Sequence, residues 1–224
     1  MAAPLIEKHK LAIELRLQGK SYSKIKKELR VSKSSLSLWL RNYPLSARRL
    51  KRLTSGNEKR IESYRETMRK KREDRLEKVY TDEKKLWLPL SKRELYLVGL
   101  FLYWGEGLKA SSSMVSISNS DPRVQRFFIY WLTKILRISK SKLRVRIHFY
   151  IDMNIKKETD FWSRQLKLPT KQFNKPYIKK TTLKSLTYKG FGHGTCEITV
   201  GGVELKSKIM MGIKSISDYY RTRI

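Results

Sequence analysis

Cysteine is almost missing from this sequence: Cys196 is the only one in 224 residues. A single thiol excludes an intramolecular disulfide framework and fits a reducing compartment. Acidic residues are scarce too, 20 Asp and Glu against 51 Lys and Arg, which leaves a formal net charge of +31. No apolar core of a signal peptide lies between Met1 and Lys10. The longest apolar run, Leu95 to Trp104, is about half of the ~20 residues that a membrane span needs. These absences predict a cytoplasmic protein with no membrane partner. What is present is a foldable chain, 40% hydrophobic and 11% aromatic, rather than a disordered basic tail. So much positive charge is costly through self-repulsion. A polyanion partner accounts for it, because each phosphate met by Lys or Arg releases a counterion.

Residues 9–41 hold three short helical patterns. Leu11, Ile13, Leu15 and Leu17 precede Gly19, a helix stop. Ser21 is placed to cap a second helix in which Ile25 and Leu29 share a face. A three-residue turn around Arg30 and Val31 leads to Ser32, the next cap, and to a third helix with Leu36 and Leu40 inward and Trp39 beside them. Lys33, Ser34, Ser35, Ser37 and Arg41 are left to point outward. The pattern predicts a helix-turn-helix at residues 1–45, its polar third helix suited to the major groove of double-stranded DNA. The stretch GKSYSKIKKELRVSKSSLSLWLR resembles the helix-turn-helix of resolvases and related recombinases.

Residues 46–90 read as a basic helical linker. From Asn57 to Lys85 the chain is dense in Lys, Arg and Glu, with Ile61, Tyr64, Met68, Leu76 and Val79 as sparse apolar positions. One long, charged, exposed helix is the expectation. No heptad seam persists along it.

Residues 91–224 change in composition and predict an α+β domain in the order helix, strand, helix, strand, helix, strand, helix. Ser91 and Glu94 form a capping-box pair ahead of a helix that is almost wholly apolar and ends at Gly105-Glu106-Gly107. An all-round apolar helix is expected to be buried on every side. Met114 to Ser118 alternates as a strand, and Asp121-Pro122 opens a helix through Phe127, Phe128 and Trp131 to about Arg137. Leu143, Val145, Ile147 and Phe149 alternate with Arg144, Arg146, His148 and Tyr150, a half-buried strand with a basic face. A helix near Lys157–Leu166, a strand near Thr195–Val200 and a helix from Val203 to about Ile216 follow. Lys171, Lys175, Lys179, Lys180 and Lys184 crowd the connection between them and are expected to meet phosphates.

Glu106 is the residue that chemistry singles out. It follows ten apolar residues at a helix C-terminus, where the macrodipole disfavours negative charge. A desolvated carboxylate there needs a cation, a donor or a proton, and an acid so placed can hold a divalent metal beside a phosphodiester. Pairing with Lys109 is the plainer reading. The segment LYLVGLFLYWGEG resembles the signature helix of LAGLIDADG homing-endonuclease-like domains, which ends in an acidic residue and Gly. LYWGEGLK, SNSDP, IHFYIDMN and FWSRQLKLP resemble uncharacterised prokaryotic proteins that join a recombinase-type helix-turn-helix to such a domain. The architecture is also similar to that of sporulation regulators that bind DNA without cutting it.

The resemblance implies a LAGLIDADG-like C-terminal domain whose sheet lies on DNA through Arg144, Arg146 and His148. It gives Glu106 the metal-binding, catalytic acid's place, while Trp104 stands where the family has another acid. Two functions follow. One is a sequence-specific, nucleoid-associated DNA-binding protein; the other is a Mg²⁺-dependent, site-specific endonuclease acting as a homodimer. The second would bring two chains together along the Leu95–Gly105 helix, through Leu97, Gly99, Leu100 and Tyr103. Other chemistry is excluded. His193 and Cys196 lack the second pair of ligands for zinc, and the run Gly190 to Gly194 lacks the Lys-Ser/Thr ending of a nucleotide loop. Tyr219 and Tyr220 have no Arg and His constellation around them and read as packing residues.

Overall fold

A computed structural model describes residues 3–182 and 192–221. The chain divides into two compact units, Met1–Leu88 and Pro89–Ile224, each around its own buried cluster.

The first unit is helical: α1 (Ala3–Leu17), α2 (Tyr22–Leu29), α3 (Lys33–Trp39), α4 (Ala47–Lys51) and α5 (Gly56–Trp87). Gly19 ends α1 with φ +89°, a conformation that a side chain would strain. The Ser21 hydroxyl accepts from the Lys24 N–H and caps α2. Arg30 turns left-handed at its end, and the Ser32 hydroxyl accepts from Ser35 N–H to open α3. Ala12, Leu15, Ile25, Leu29, Leu36 and Leu40 close the core. Leu11 and Leu17, apolar positions of the first helical pattern, are exposed. Ala12 and Leu15 face the core, because positions three apart share a helical face and positions two apart do not.

The segment expected to be a free linker is part of this unit at its start. Glu62 of α5 is 4% exposed and receives two hydrogen bonds from the Arg16 guanidinium, at 2.9 and 2.7 Å. Its carboxylate also accepts the Tyr22 N–H at 2.6 Å, an orphan donor of the first turn of α2. Arg16 in turn donates to the carbonyls of Tyr43 and Lys20. Ile61 packs against the same core. Beyond Lys70 the helix is exposed along nearly all of its length, as the charge pattern predicts.

The second unit is α+β. Its elements are α6 (Lys92–Glu106), β1 (Met114–Asn119), α7 (Pro122–Tyr130), β2 (Arg144–Tyr150), α8 (Ile155–Leu166), β3 (Tyr177–Lys179), β4 (Thr195–Gly201) and α9 (Val203–Arg221). The sheet order is β1-β4-β2-β3, antiparallel except for the β2–β3 pair. β3 lies in the basic connection, where no strand is expected. Ser91 and Glu94 form the capping box of α6, and Asp121 with Pro122 opens α7. α7 continues into a π-helical turn, Trp131–Ile135. There the Thr133 hydroxyl takes the Ile129 carbonyl at 2.7 Å, a bond that competes with the regular ladder.

One sheet face is apolar: Val115, Ile117, Val145, Ile147, Phe149, Cys196, Ile198 and Val200 are all buried. Helices supply the rest of that core through Leu100, Tyr103, Phe128, Trp131, Trp162 and Ile209. The other sheet face carries the polar side chains. No helix among the described residues is long and apolar enough to cross a membrane.

Candidate nucleic-acid interface

Two cationic surfaces stand out, one in each unit. In the first unit, burying Leu36 and Leu40 fixes the rotation of α3. Lys33, Ser34, Ser37 and Arg41 are then exposed. Ser35 departs from the expectation. It is half-buried, its Oγ lies 2.8 Å from that of Ser32, and its hydroxyl is engaged in the cap. Leu38, unnoticed in the sequence, is 62% exposed on the outward side. Its position between Leu36 and Leu40 was the available signal, because two residues turn a helix through about 200°. An exposed Leu among short hydroxyls offers an apolar contact of the kind a thymine methyl takes.

In the second unit the sheet's polar face is built by cross-strand register. Arg144 sits opposite Thr199, Arg146 opposite Glu197 and His148 opposite Thr195. On the far side of β2, His148 pairs in register with Tyr177 and Tyr150 with Lys179. Arg144 and Arg146 are exposed, and Arg144 is steadied by donating to the carbonyls of Ser141 and Leu143. The Lys179 ammonium lies 4.7 Å from the Tyr150 ring centroid. Lys171, Lys175 and Lys180 are exposed; Lys184 falls outside the described residues.

Glu197 is the residue that sequence reading missed on this face. It accepts from the Ser116 hydroxyl at 3.1 Å and approaches His148 Nε2 to 3.7 Å. Its place on the face follows from alternation along β4, but its place beside Arg146 and His148 depends on a register between strands about fifty residues apart. The result is a polar surface with cations on the inner strand β2 and the edge strand β3 and one carboxylate, Glu197, on β4.

Two expectations are corrected. Glu106, expected to be desolvated, is exposed. Lys109 donates to the Gly105 carbonyl at 3.4 Å rather than pairing with it. Among the described residues no group of three or more His, Cys, Asp and Glu is placed to hold a metal ion. One exposed carboxylate is a poor fit for Mg²⁺, which takes several oxygen ligands in octahedral geometry.

α6 is not buried on every side: Val98, Phe101 and Trp104 are 42, 53 and 40% exposed. The face expected to meet a second chain is used within this one. Leu100 and Tyr103 are core residues, and a Cβ on Gly99 would lie 2.0 Å from the Trp131 indole. Tyr103 and the buried Lys206 jointly hold the Leu108 carbonyl, which fixes the turn after Glu106. A helix whose apolar residues encircle it gives no sign of which side its own domain will claim.

The chain matches no protein-family model, no curated protein and no solved structure.

The remaining candidates are structural. His193 Nδ1 lies 2.6 Å from Glu158 Oε2, with its ring stacked on Phe161 at 3.6 Å, and the Trp162 indole donates to its carbonyl. These interactions fasten the start of β4 to α8. Cys196 faces the core, where burial pushes its thiol up. A thiol kept protonated and covered has no reactive role.

Proposed function

We propose that this protein binds double-stranded DNA in a sequence-specific manner. In this reading α2, the turn at Arg30 and α3 are a helix-turn-helix, and α3 enters the major groove. Lys33 and Arg41 meet phosphate or guanine at its two ends; Ser34 and Ser37 allow close approach, and Leu38 adds an apolar contact. The second unit, read as a LAGLIDADG-like domain, lays the polar face of its sheet on the duplex. Arg144, Arg146, His148, Lys175, Lys179 and Lys180 would supply backbone contacts that fix position more than sequence.

The observation that carries this reading is the outward face of α3. It exposes Lys33, Ser34, Ser37 and Leu38, with Arg41 exposed just past the helix end, and the burial of Leu36 and Leu40 sets that orientation in a chain of net charge +31. A merely solvated helix has no need of such a face beside so large an excess of cation. Lys33→Ala and Arg41→Ala test it, since neither residue belongs to the core. Each should weaken binding to a selected site, and each phosphate left without its cation should flatten the dependence of log K on log salt by about 1. Unchanged site choice and affinity in both variants would mean that α3 is not the reading element.

A further inference from the structure

α5 carries a pattern that the DNA-binding reading does not use. Seven residues follow one another along one stripe at alternating helical spacings: Arg65, Arg69, Arg72, Leu76, Tyr80, Glu83 and Trp87. The spacings are four, three, four, then four, three, four, so the stripe is symmetric about Leu76. Each arginine on the N-terminal side has a mirror position on the C-terminal side. Arg72 mirrors Tyr80, Arg69 mirrors Glu83, and Arg65 mirrors Trp87.

We propose that two copies of this chain pair through α5, antiparallel and two-fold symmetric about Leu76. In that arrangement each residue faces its mirror position in the second copy. Leu76 meets Leu76 on the axis, Arg72 lies over Tyr80, Arg69 meets Glu83, and Arg65 lies over Trp87. Arginine over an aromatic face is a favourable cation–π interaction, and every such pair occurs twice. Within one copy Arg65 already lies 4.1 Å from the Tyr22 ring centroid and the Trp87 indole donates to Glu83; Leu76 and the Arg72–Tyr80 pairs are left for a second copy, because α5 is one continuous helix and its halves cannot fold back on each other.

Exposure supports the surface. Leu76, Tyr80 and Trp87 are 51, 62 and 60% exposed, large apolar side chains left open to solvent among the described residues. The half of α5 from Glu77 to Trp87, which would meet the arginine-bearing half of the second copy, carries three acidic residues, Glu77, Asp82 and Glu83, and three lysines, and so lacks the cationic excess of the first half. Arg69 already bridges Glu66 and Glu73 within its helix and Arg65 rests on Tyr22, so Leu76 and the Arg72–Tyr80 pairs are the main contributors. The stripe spans 23 residues, about 33 Å of helix. An isologous pairing of this kind presents two copies of α3 related by a two-fold axis, the symmetry of an inverted-repeat DNA site.

Sedimentation of the full chain without DNA tests the pairing, so its outcome is independent of DNA binding. The expected species has twice the 26.6 kDa of the single chain. Leu76→Glu, at a position that is exposed in the single chain, sets two carboxylates face to face on the axis. It should weaken dimerisation at least ~tenfold while circular dichroism stays unchanged. Arg69→Glu and Glu83→Arg should each weaken the dimer, and the two together should recover part of the loss. Phe101→Glu, on the exposed side of α6, should have no effect. A single-chain mass at every concentration overturns the proposal. So does a dimer that tolerates all the α5 substitutions, or one that dissociates only with Phe101→Glu.

Discussion

The Arg16–Glu62 pair decides how the first unit holds its long helix. Both residues are almost completely buried, and the carboxylate is satisfied by a forked guanidinium and a backbone N–H. Burial pushes the Glu62 carboxyl upward, but the hydrogen bonds from Arg16 and Tyr22 outweigh it and hold the group below its usual value of 4.5. A carboxylate with a lowered pKa contributes stability that is fully present above the unfolded value and is lost as pH falls through the folded one. The first unit should therefore lose stability in acid below about pH 4.5. Glu62→Gln should flatten that dependence in thermal melts taken across the acid range on either side of that value. Removing one partner of a buried pair costs about 3–5 kcal/mol, so Glu62→Ala should unfold the unit at markedly lower denaturant. If Glu62→Ala melts like the parent, the pair does not anchor α5. In the sequence Glu62 looks like any of the helix's many charges. Its partner lies 46 positions away, and only packing of α5 on α1 and α2 distinguishes it. The caps were legible because they are local: Ser21, Ser32 and Ser91 each bond to a backbone N–H three residues on.

At the scale of elements, α6 and the π-helical turn after α7 are fitted to each other at Gly99. A Cβ there would overlap the Trp131 ring at 2.0–2.2 Å, and the ring is fully buried with no room to retreat. Gly99→Ala should cost about 1–3 kcal/mol or more through overpacking, read as a shift in the denaturation midpoint of the second unit. Trp131→Leu combined with it should recover part of the loss, because the smaller side chain vacates that space. Equal stability of Gly99→Ala and the parent would show that the two elements do not touch. The sequence puts Gly99 at a contact with a second chain, whereas its neighbour is Trp131 of its own. Strands β1, β2 and β4 were readable from period-two alternation, which depends only on neighbours. β3 was hidden in a run of lysines, being three residues that become a strand by pairing with β2. Glu106 shows the opposite failure. A carboxylate after ten apolar residues looks desolvated, yet exposure depends on which side of α6 the sheet covers.

The whole molecule is dominated by charge, and charge is the feature that sequence states without ambiguity. What the fold adds is its distribution: an outward α3 face on one unit, and a sheet face carrying Arg144, Arg146 and Lys179 on the other. If both faces meet duplex, substituting Arg144 and Arg146 together by Ala should lower affinity for every sequence alike, while the Lys33 and Arg41 variants change site preference as well. The most direct measurement is fluorescence anisotropy of the full chain with labelled duplex DNA, titrated with salt from a low ionic strength. The predicted result is tight binding whose log K falls linearly with log salt, losing about a thousandfold or more between roughly 50 and 200 mM. No measurable affinity for duplex at low ionic strength would contradict the account at its root.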